Sequence, residues 1–177
     1  MTERTLSWYV AITYRKERII KHKLEEKGID HFIPLKEVVK ERNGKRITVT
    51  ELVIPGYVFI HTDLHTVLSL VKDLGLSIRI MRESGTYIPA TVPDVQMQHF
   101  IFLTTFTMDK DVHFVSPKVR QGDKVRVVKG DFAGIEGELV RIHGHKRVVV
   151  RLNSALAIAT TYIPLAFLEK IEEPTLG

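Results

Sequence analysis

The 177-residue chain contains no cysteine, which excludes disulfides, thiol nucleophiles and cysteine-based zinc sites. It also lacks an apolar run near the about 20 residues that a membrane-spanning helix needs. The opening residues, MTERTLSWYVAITY, lack the basic-then-apolar order of a signal peptide. These absences lead us to expect a cytoplasmic protein without membrane contact.

Acidic residues are outnumbered, with 21 Asp and Glu against 26 Lys and Arg, which gives a net charge of +5. The excess is concentrated at the start, where residues 1–50 hold 12 basic and 7 acidic side chains. Such a balance weakly favours a polyanion or an acidic protein surface as the partner. With 44% hydrophobic residues, the composition is that of a folded globular protein.

Signs of catalysis are missing as well. No Ser/His/Asp ordering, phosphate-binding Gly-Lys-Ser/Thr loop or carboxylate pair stands out. The histidines include two four residues apart, His61 and His65, and the compact pair His143 and His145, but a zinc site needs three or four ligands in a closed set. We expect no enzyme activity, no metal and no cofactor.

Strand and helix patterns alternate over residues 1–107, which indicates an α+β domain. Asn43-Gly44 is a strong signal for a tight hairpin, because both residues tolerate positive φ. Pro93 suits the first turn of a helix, and Gly28 suits the end of one. The predicted strands are 8–14, 36–42, 45–54, 57–60 and 77–81, and the predicted helices are 17–27, 64–74 and 93–106.

The pattern changes after residues 108–117, which show no clear period and which we predict to be a linker. Residues 118–177 read almost entirely as short strands, at 118–128, 135–142, 146–152 and 156–163. About five short strands in so short a segment predict a small barrel.

A glycine-rich junction lies inside this predicted barrel, in VRVVKGDFAGIEGELVRI, residues 125–142. Gly130 and Gly134 suit a turn that needs positive φ, and Gly137 suits a bulge or a close backbone approach inside the returning strand. The plain structural interpretation is a tight turn with no direct chemistry.

The junction resembles the KOW motif of transcription elongation factors and ribosomal proteins, which sits in an SH3-like barrel. The resemblance covers GDKVRVVKGDFAGIEGELVRI, residues 122–142, through Gly130, Phe132, Gly134 and Gly137. The closing YIPLAFLEKI, residues 162–171, also resembles the end of such a domain.

The first half resembles the NusG N-terminal domain. The matching segments are WYVAITYRKER at 8–18, FIPLKEVVKERNGKR at 32–46, PGYVFIHTD at 55–63 and GTYIPATVPDVQM at 85–97. The resemblance implies an antiparallel-sheet NusG N-terminal-like domain with flanking helices at 1–107, followed by a KOW barrel at 118–177. PATVPDVQMQHFI, AIATTYIP and the short linker further resemble specialised paralogues of the UpxY antiterminator type.

What the NusG resemblance implies is a protein that binds the clamp helices of the largest RNA polymerase subunit through an apolar patch. Tyr57 and Phe59 match that patch, with Ile80 and Thr91 as neighbouring candidates. Residues 57 and 59 share a face of one strand, so we expect an exposed aromatic pair suited to a protein contact. The alternative is that a helix covers this face.

A second implied surface faces the non-template DNA strand of the transcription bubble. Lys and Arg suit phosphates, and a tyrosine ring can stack on a base. A solvated helix face is the alternative interpretation. The candidates around the first helix are Tyr14, Arg15, Lys16, Arg18 and Lys21. The charged hairpin tip, with Lys40, Arg42, Lys45 and Arg46, is a further candidate contact for nucleic acid or for polymerase; the alternative is that its charges serve only solubility.

The resemblance thus implies a monomeric elongation or antitermination factor that suppresses pausing or termination. Its KOW domain would recruit a ribosomal protein or a termination factor. An RNA-binding or ribosome-associated KOW protein is the alternative.

Three glycines within 125–142 oppose helix formation, so we expect the C-terminal half to be β rather than a helical hairpin.

Overall fold

The structure, a computed structural model, describes residues 5–73, 78–106, 113–115, 122–152 and 156–171. The Cα positions group into two compact units, Met1–Asp94 and Val95–Gly177. The helices are α1 (Glu17–Glu26), α2 (Leu64–Asp73) and α3 (Asp94–Phe106). The strands of the first unit are β1 (Ser7–Thr13), β2 (Asp30–Phe32), β3 (Leu35–Arg42), β4 (Lys45–Leu52), β5 (Tyr57–Thr62), β6 (Ile78–Ile80) and β7 (Thr91–Val92).

An antiparallel sheet organises the first unit, with strand order β2-β5-β1-β6 and with β7 also paired to β1. Alternate residues of β1 and β5 point to one face, where α1 and α2 cover them. The core formed there includes Ala11, Ile20, Val58 and Val67, each with no exposed surface. Burial of apolar side chains on this face is the main stabilisation of the unit.

Glycines end the first helix and turn the hairpin where the sequence predicts. Gly28 follows α1 with φ +63°. The N–H groups of Gly28 and Ile29 donate to the carbonyls of Glu25 and Leu24, as in a Schellman motif. Asn43 and Gly44 both have positive φ, and they join β3 to β4 in a separate two-stranded ribbon. The predicted stop near Gly75 lies outside the described residues.

A buried carboxylate ties the start of α1 to the turn before β5. Glu17 is 5% exposed, and its Oε1 accepts a hydrogen bond of 2.6 Å from the N–H of Gly56. The carbonyl of Gly56 in turn accepts a bond of 2.9 Å from the N–H of Thr13, at the end of β1. Both polar groups of Gly56 are therefore satisfied, and the entry into β5 is fixed in position next to Tyr57.

The second unit contains α3 and six strands. These are β8 (His113–Val115), β9 (Asp123–Val127), β10 (Glu136–Ile142), β11 (His145–Leu152), β12 (Leu156–Tyr162) and β13 (Leu168–Lys170). They form one antiparallel sheet in the order β13-β9-β10-β11-β12-β8, which is compatible with a KOW barrel. The α+β class is confirmed, and AIAT in β12 is strand, as expected for a β C-terminal half.

Two features of this unit differ from the expectation of a linker followed by a five-stranded barrel. Residues 113–115, inside the predicted linker, pair with β12 as a sixth strand. Helix α3 also groups with this unit by proximity, and the N–H of Glu136 donates to Nδ1 of His99 at 3.3 Å. Burial lowers the pKa of His99. The proposed bounds, 1–107, 108–117 and 118–177, stay a prediction.

Among the residues that the structure describes, the helices are all too short or too polar to cross a bilayer.

Replacing Glu17 by Ala should lower the free energy of unfolding of the first unit by about 2 kcal/mol, because the half-buried N–H of Gly56 loses its carboxylate acceptor. Trp8 is the single tryptophan, so urea denaturation followed by its fluorescence reports on this unit. Glu26→Ala is the control, since Glu26 is exposed and pairs with exposed His22. Equal effects of the two substitutions would contradict the role assigned to Glu17.

Candidate functional site

Opposite the helix-covered core, the first sheet presents a second face built by β1, β2 and β5. The register pairs Trp8 with His61, Val10 with Phe59, and Ile12 with Tyr57. Phe32 of β2 lies opposite Phe59. We call the five ring-bearing residues of this surface the aromatic face; they are Trp8, Phe32, Tyr57, Phe59 and His61.

The rings of the aromatic face hold one another in place. Trp8 and His61 stack with their centroids 4.8 Å apart and their planes 18° from parallel. Nδ1 of His61 lies 3.3 Å from Oδ2 of Asp30, which fixes the imidazole ring against the indole. Phe32 and Phe59 lie 6.3 Å apart in a tilted arrangement. Fixed aromatic rings lose little conformational entropy on binding, as suits a protein contact.

The structure separates the four residues expected to bind polymerase. Tyr57 and Phe59 both lie on the aromatic face, and Tyr57 is half-buried. Phe59, however, has no exposed surface, so the expectation of an exposed aromatic pair is wrong for its side chain. The packing alternative describes Phe59 better, because its side chain keeps no surface for a partner, and neither does that of Val10 opposite it, which is 1% exposed.

Ile80 and Thr91 lie on the other face of the sheet. Ile80 pairs with Ala11 and is 7% exposed within the core that α1 and α2 cover. Thr91 pairs with Tyr9, whose ring belongs to the same core. The pairing in antiparallel strands places directly opposite residues on one face, so these two residues do not join Tyr57 and Phe59.

The nucleic-acid candidates cluster where β1 meets α1. Tyr14 is 74% exposed, and the guanidinium carbon of Arg15 lies 5.3 Å from the centroid of its ring. Lys16 is the residue immediately before α1. Tyr14, Arg15 and Arg18 are exposed, and Lys16 and Lys21 are half-buried; that this cluster binds nucleic acid stays a prediction.

Two members of this cluster have partners. Arg18 donates to the backbone carbonyl of Thr50 in β4 at 3.0 Å. Lys21 pairs with Glu25 one turn further along α1, and the hydrogen bond from Lys21 lowers the pKa of Glu25. Arg18 therefore links α1 to the β3–β4 ribbon across an open cleft of about 550 Å³, whose lining includes Ile33, Leu35, Val49 and Leu52.

The glycine junction of the second unit forms the turn that the sequence predicts. Gly130 and Gly134 have φ of +83° and +92°. The N–H of Gly134 donates to the carbonyl of Val127 at 2.8 Å. Phe132, between them, is 7% exposed and packs inward, so its role here is structural.

Gly137 lies where two backbones approach closely. A Cβ at this position would lie 2.5 Å from the carbonyl oxygen of Val149 and 2.9 Å from Cγ1 of Val148. Gly122 is tighter still, with 1.9 Å to the carbonyl oxygen of Leu139. The sequence pattern anticipated the first of these contacts; the second became visible only with the strand register.

The sequence alone does not indicate the Trp8–His61 stack or the role of Asp30. Its local pattern predicts a strand around Trp8, and His61 stands out only through its spacing from His65. Period-two alternation in β1 and β5 was the available signal, but it needs the pairing register to bring residues 8 and 61 together. Within the described ranges, no three His, Asp or Glu side chains form a group that could hold a metal ion.

Comparison with known proteins adds an independent line of support. The family model described as "Transcription termination factor nusG" matches residues 6–101. The transcription termination/antitermination protein NusG of Helicobacter pylori (strain ATCC 700392 / 26695) is 28% identical over 144 residues, covering 72% of this chain and 77% of that protein.

The protein of the same name from Campylobacter jejuni subsp. jejuni serotype O:2 is 25% identical over 184 residues, covering 94% of this chain and 98% of that protein. A solved structure titled "Domain interaction in Thermotoga maritima NusG" is 21% identical, with coverage of 95% and 98% and a TM-score of 0.45.

Burial distinguishes the two aromatic residues of β5. Phe59→Ala should lower the free energy of unfolding of the first unit by about 3–5 kcal/mol, since it leaves a cavity at a fully buried position. Tyr57→Ala should cost about 1 kcal/mol, because its ring is only half-buried. Urea denaturation followed by Trp8 fluorescence measures both, and a larger loss for Tyr57→Ala than for Phe59→Ala would contradict the packing described here.

Proposed function

We propose that this chain binds RNA polymerase during elongation and suppresses pausing or termination, because it belongs to the NusG family of transcription termination/antitermination factors. The observation that carries the proposal is the aromatic face. Trp8, Tyr57 and His61 lie in half-buried positions on two paired strands, and the Trp8–His61 stack is fixed by Asp30.

The proposed partner of the aromatic face is the pair of clamp helices of the largest polymerase subunit. A helix presents apolar side chains three and four residues apart, and the half-buried rings of Trp8, Tyr57 and His61 keep exposed surface that such a helix could contact. Tyr57 is the proposed anchor, and Phe59 is buried beside it on the same face of β5. Ile80 and Thr91 lie on the other face of the sheet, so the proposed contact centres on Tyr57 rather than on all four residues.

A factor that bridges the clamp would hold it closed on the nucleic acids. Pausing and termination both require rearrangement of the complex, so a ligand that binds only the closed state shifts the population toward elongation. No chemical step by this chain is needed for that effect.

The surface made by Tyr14, Arg15, Lys16, Arg18 and Lys21 is the proposed contact for the non-template DNA strand. Tyr14 leaves one ring face for a base while Arg15 lies over the ring. The cations beside it suit phosphates.

The proposed role of the second unit is recruitment of another factor, a ribosomal protein or a termination factor. Large apolar side chains stay exposed there, with Tyr162 and Leu165 each 53% exposed. The turn glycines and Phe132 shape the sheet and are not proposed as contacts. That the chain is a specialised UpxY-like paralogue, and not a general factor, stays a prediction.

Tyr57→Ala should weaken binding of the full chain to purified RNA polymerase by roughly 5- to 100-fold, the range expected when a buried aromatic anchor is truncated. Tyr162→Ala is the matched control, because it removes a tyrosine from the second unit and should leave the polymerase affinity unchanged. Affinity is measured with the labelled chain titrated by the enzyme.

Two results would contradict the proposal. One is polymerase binding that Tyr57→Ala leaves unaltered. The other is capture of ribosomal RNA, with no polymerase, when the intact chain is used as bait in a lysate; that result would favour the alternative of a ribosome-associated KOW protein.

A further inference from the structure

A second cleft lies within the second unit, between α3 and the antiparallel sheet. Its volume is about 320 Å³, which is at the small end of the range for small-molecule sites. Val95, Gln96 and His99 of α3 line one wall, and residues of β9, β10 and β11 line the other. We call this space the α3 cleft.

His99 holds α3 against the sheet on one side of the α3 cleft. Its Nδ1 accepts the hydrogen bond from the N–H of Glu136, so the proton of the neutral ring is on Nε2. Burial lowers the pKa of His99, although the charge of Glu136 and backbone hydrogen bonds oppose the shift. The imidazole is therefore neutral at pH 7, and its role is to keep the wall in place.

Gln96 lies one helical turn before His99 on the same side of α3. Its Oε1 is buried, and no protein group donates a hydrogen bond to it. A buried amide oxygen without a donor destabilises the free protein. The last torsion of a glutamine side chain is broad, so a small rotation presents Oε1 to a donor inside the cleft.

The strand wall is charged but nearly balanced. Lys124 lies directly opposite Glu138 in the β9–β10 register, and Glu138 also accepts a bond of 3.0 Å from Nε of Arg151. Glu136 pairs with Arg126. Three cations thus accompany two carboxylates, which leaves room for one added negative charge near Lys124.

Apolar surface remains beside this positive charge. The N–H of Ile171 donates to the carbonyl of Lys124 at 2.9 Å, which holds Ile171 next to the lysine. Ile171 is half-buried, and Val95 across the cleft keeps 52% of its surface exposed. The α3 cleft therefore combines an acceptor that needs a donor, a cation and two aliphatic side chains.

We propose that the α3 cleft binds a free α-amino acid with an aliphatic side chain, of the size of leucine. The ammonium group donates to Oε1 of Gln96, and the carboxylate pairs with Lys124. The aliphatic side chain contacts Val95 and Ile171. A ligand held in this way joins α3 to the sheet, and the site is separate from the surfaces proposed for polymerase and DNA.

Other classes of small ligand fit these residues less well. A phosphate ester or a nucleotide would bring two or more negative charges next to Glu136 and Glu138. A purely apolar molecule would leave Oε1 of Gln96 without a donor. A zwitterion with an aliphatic side chain matches all three features and leaves the charge of the cleft unaltered.

Isothermal titration calorimetry of the full chain with L-leucine tests the proposal. Three analogues each remove one group: N-acetyl-L-leucine lacks the ammonium group, L-leucinamide lacks the carboxylate, and glycine lacks the aliphatic side chain. Each analogue should bind at least about fivefold more weakly than L-leucine, because a hydrogen bond of a charged group or an apolar contact is lost. Saturation-transfer NMR detects binding that releases no heat.

Helix α3 offers a matched pair of glutamines. Gln96→Ala should weaken L-leucine binding about 3- to 10-fold, the range for one hydrogen bond. Gln98→Ala should change it less than about twofold, because Gln98 is exposed and does not line the cleft. The thermal stability of the free Gln96→Ala chain should not fall, since Oε1 has no protein donor to lose.

A pair of exposed lysines keeps the test independent of Gln96. Lys124→Met should weaken L-leucine binding about tenfold, since the carboxylate loses its cation. Lys129→Met removes the same charge at an exposed position outside the cleft and should leave the affinity unaltered. Circular dichroism checks that all four variants fold.

Several outcomes would overturn the inference. One is the absence of L-leucine binding at millimolar concentration by both methods. Equal effects within either pair of variants would place the ligand elsewhere, and N-acetyl-L-leucine binding as tightly as L-leucine would exclude the role given to Gln96. No polymerase enters these assays, so they stand or fail independently of the Tyr57→Ala test.

Discussion

The antiparallel pairing of β1 with β5 is the constraint on which the first unit depends. Six residue pairs, from Ser7 with Thr62 to Ile12 with Tyr57, fix the register. A slip by one residue would turn every side chain of a strand to the opposite face, which would expose Val58 and bury His61. The bond from Gly56 to buried Glu17 opposes such a slip, because it holds the first residue before β5 against α1. The covered core and the aromatic face are thus two results of one register.

The register of β1 and β5 also explains why the covered core and the aromatic face differ in character. On one side, α1 and α2 supply apolar side chains that remove Val58 and Ile60 from water. On the other, rings contact rings, and Asp30 orients His61. Burial does not stabilise the outer part of the β3–β4 ribbon, because its outer ten residues are exposed. The turn and the cross-strand pairs stabilise it instead.

Local signals in the sequence predicted much of the fold. Gly28 ended a helix, Asn43-Gly44 turned a hairpin and Gly134 closed a tight turn, because each needs a backbone conformation that few other residues adopt. Contacts between segments that are distant in the sequence could not be predicted. That Phe59 is buried, that Ile80 faces the other side, and that residues 113–115 add a strand all depend on pairings between distant segments, which no local pattern encodes. The sequence indicated the basic tip of the ribbon, but the division of its charges between two faces needed the register.

Photo-crosslinking can show whether the aromatic face contacts the largest subunit of RNA polymerase, as we propose. A photoreactive aromatic amino acid is placed at position 57 in one protein and at position 162 in another, and each is irradiated with elongating polymerase. We expect a crosslink from position 57 to the clamp helices of the largest subunit and none there from position 162. Crosslinks to that subunit from position 162 alone, or from neither position while the chain stays bound, would contradict it.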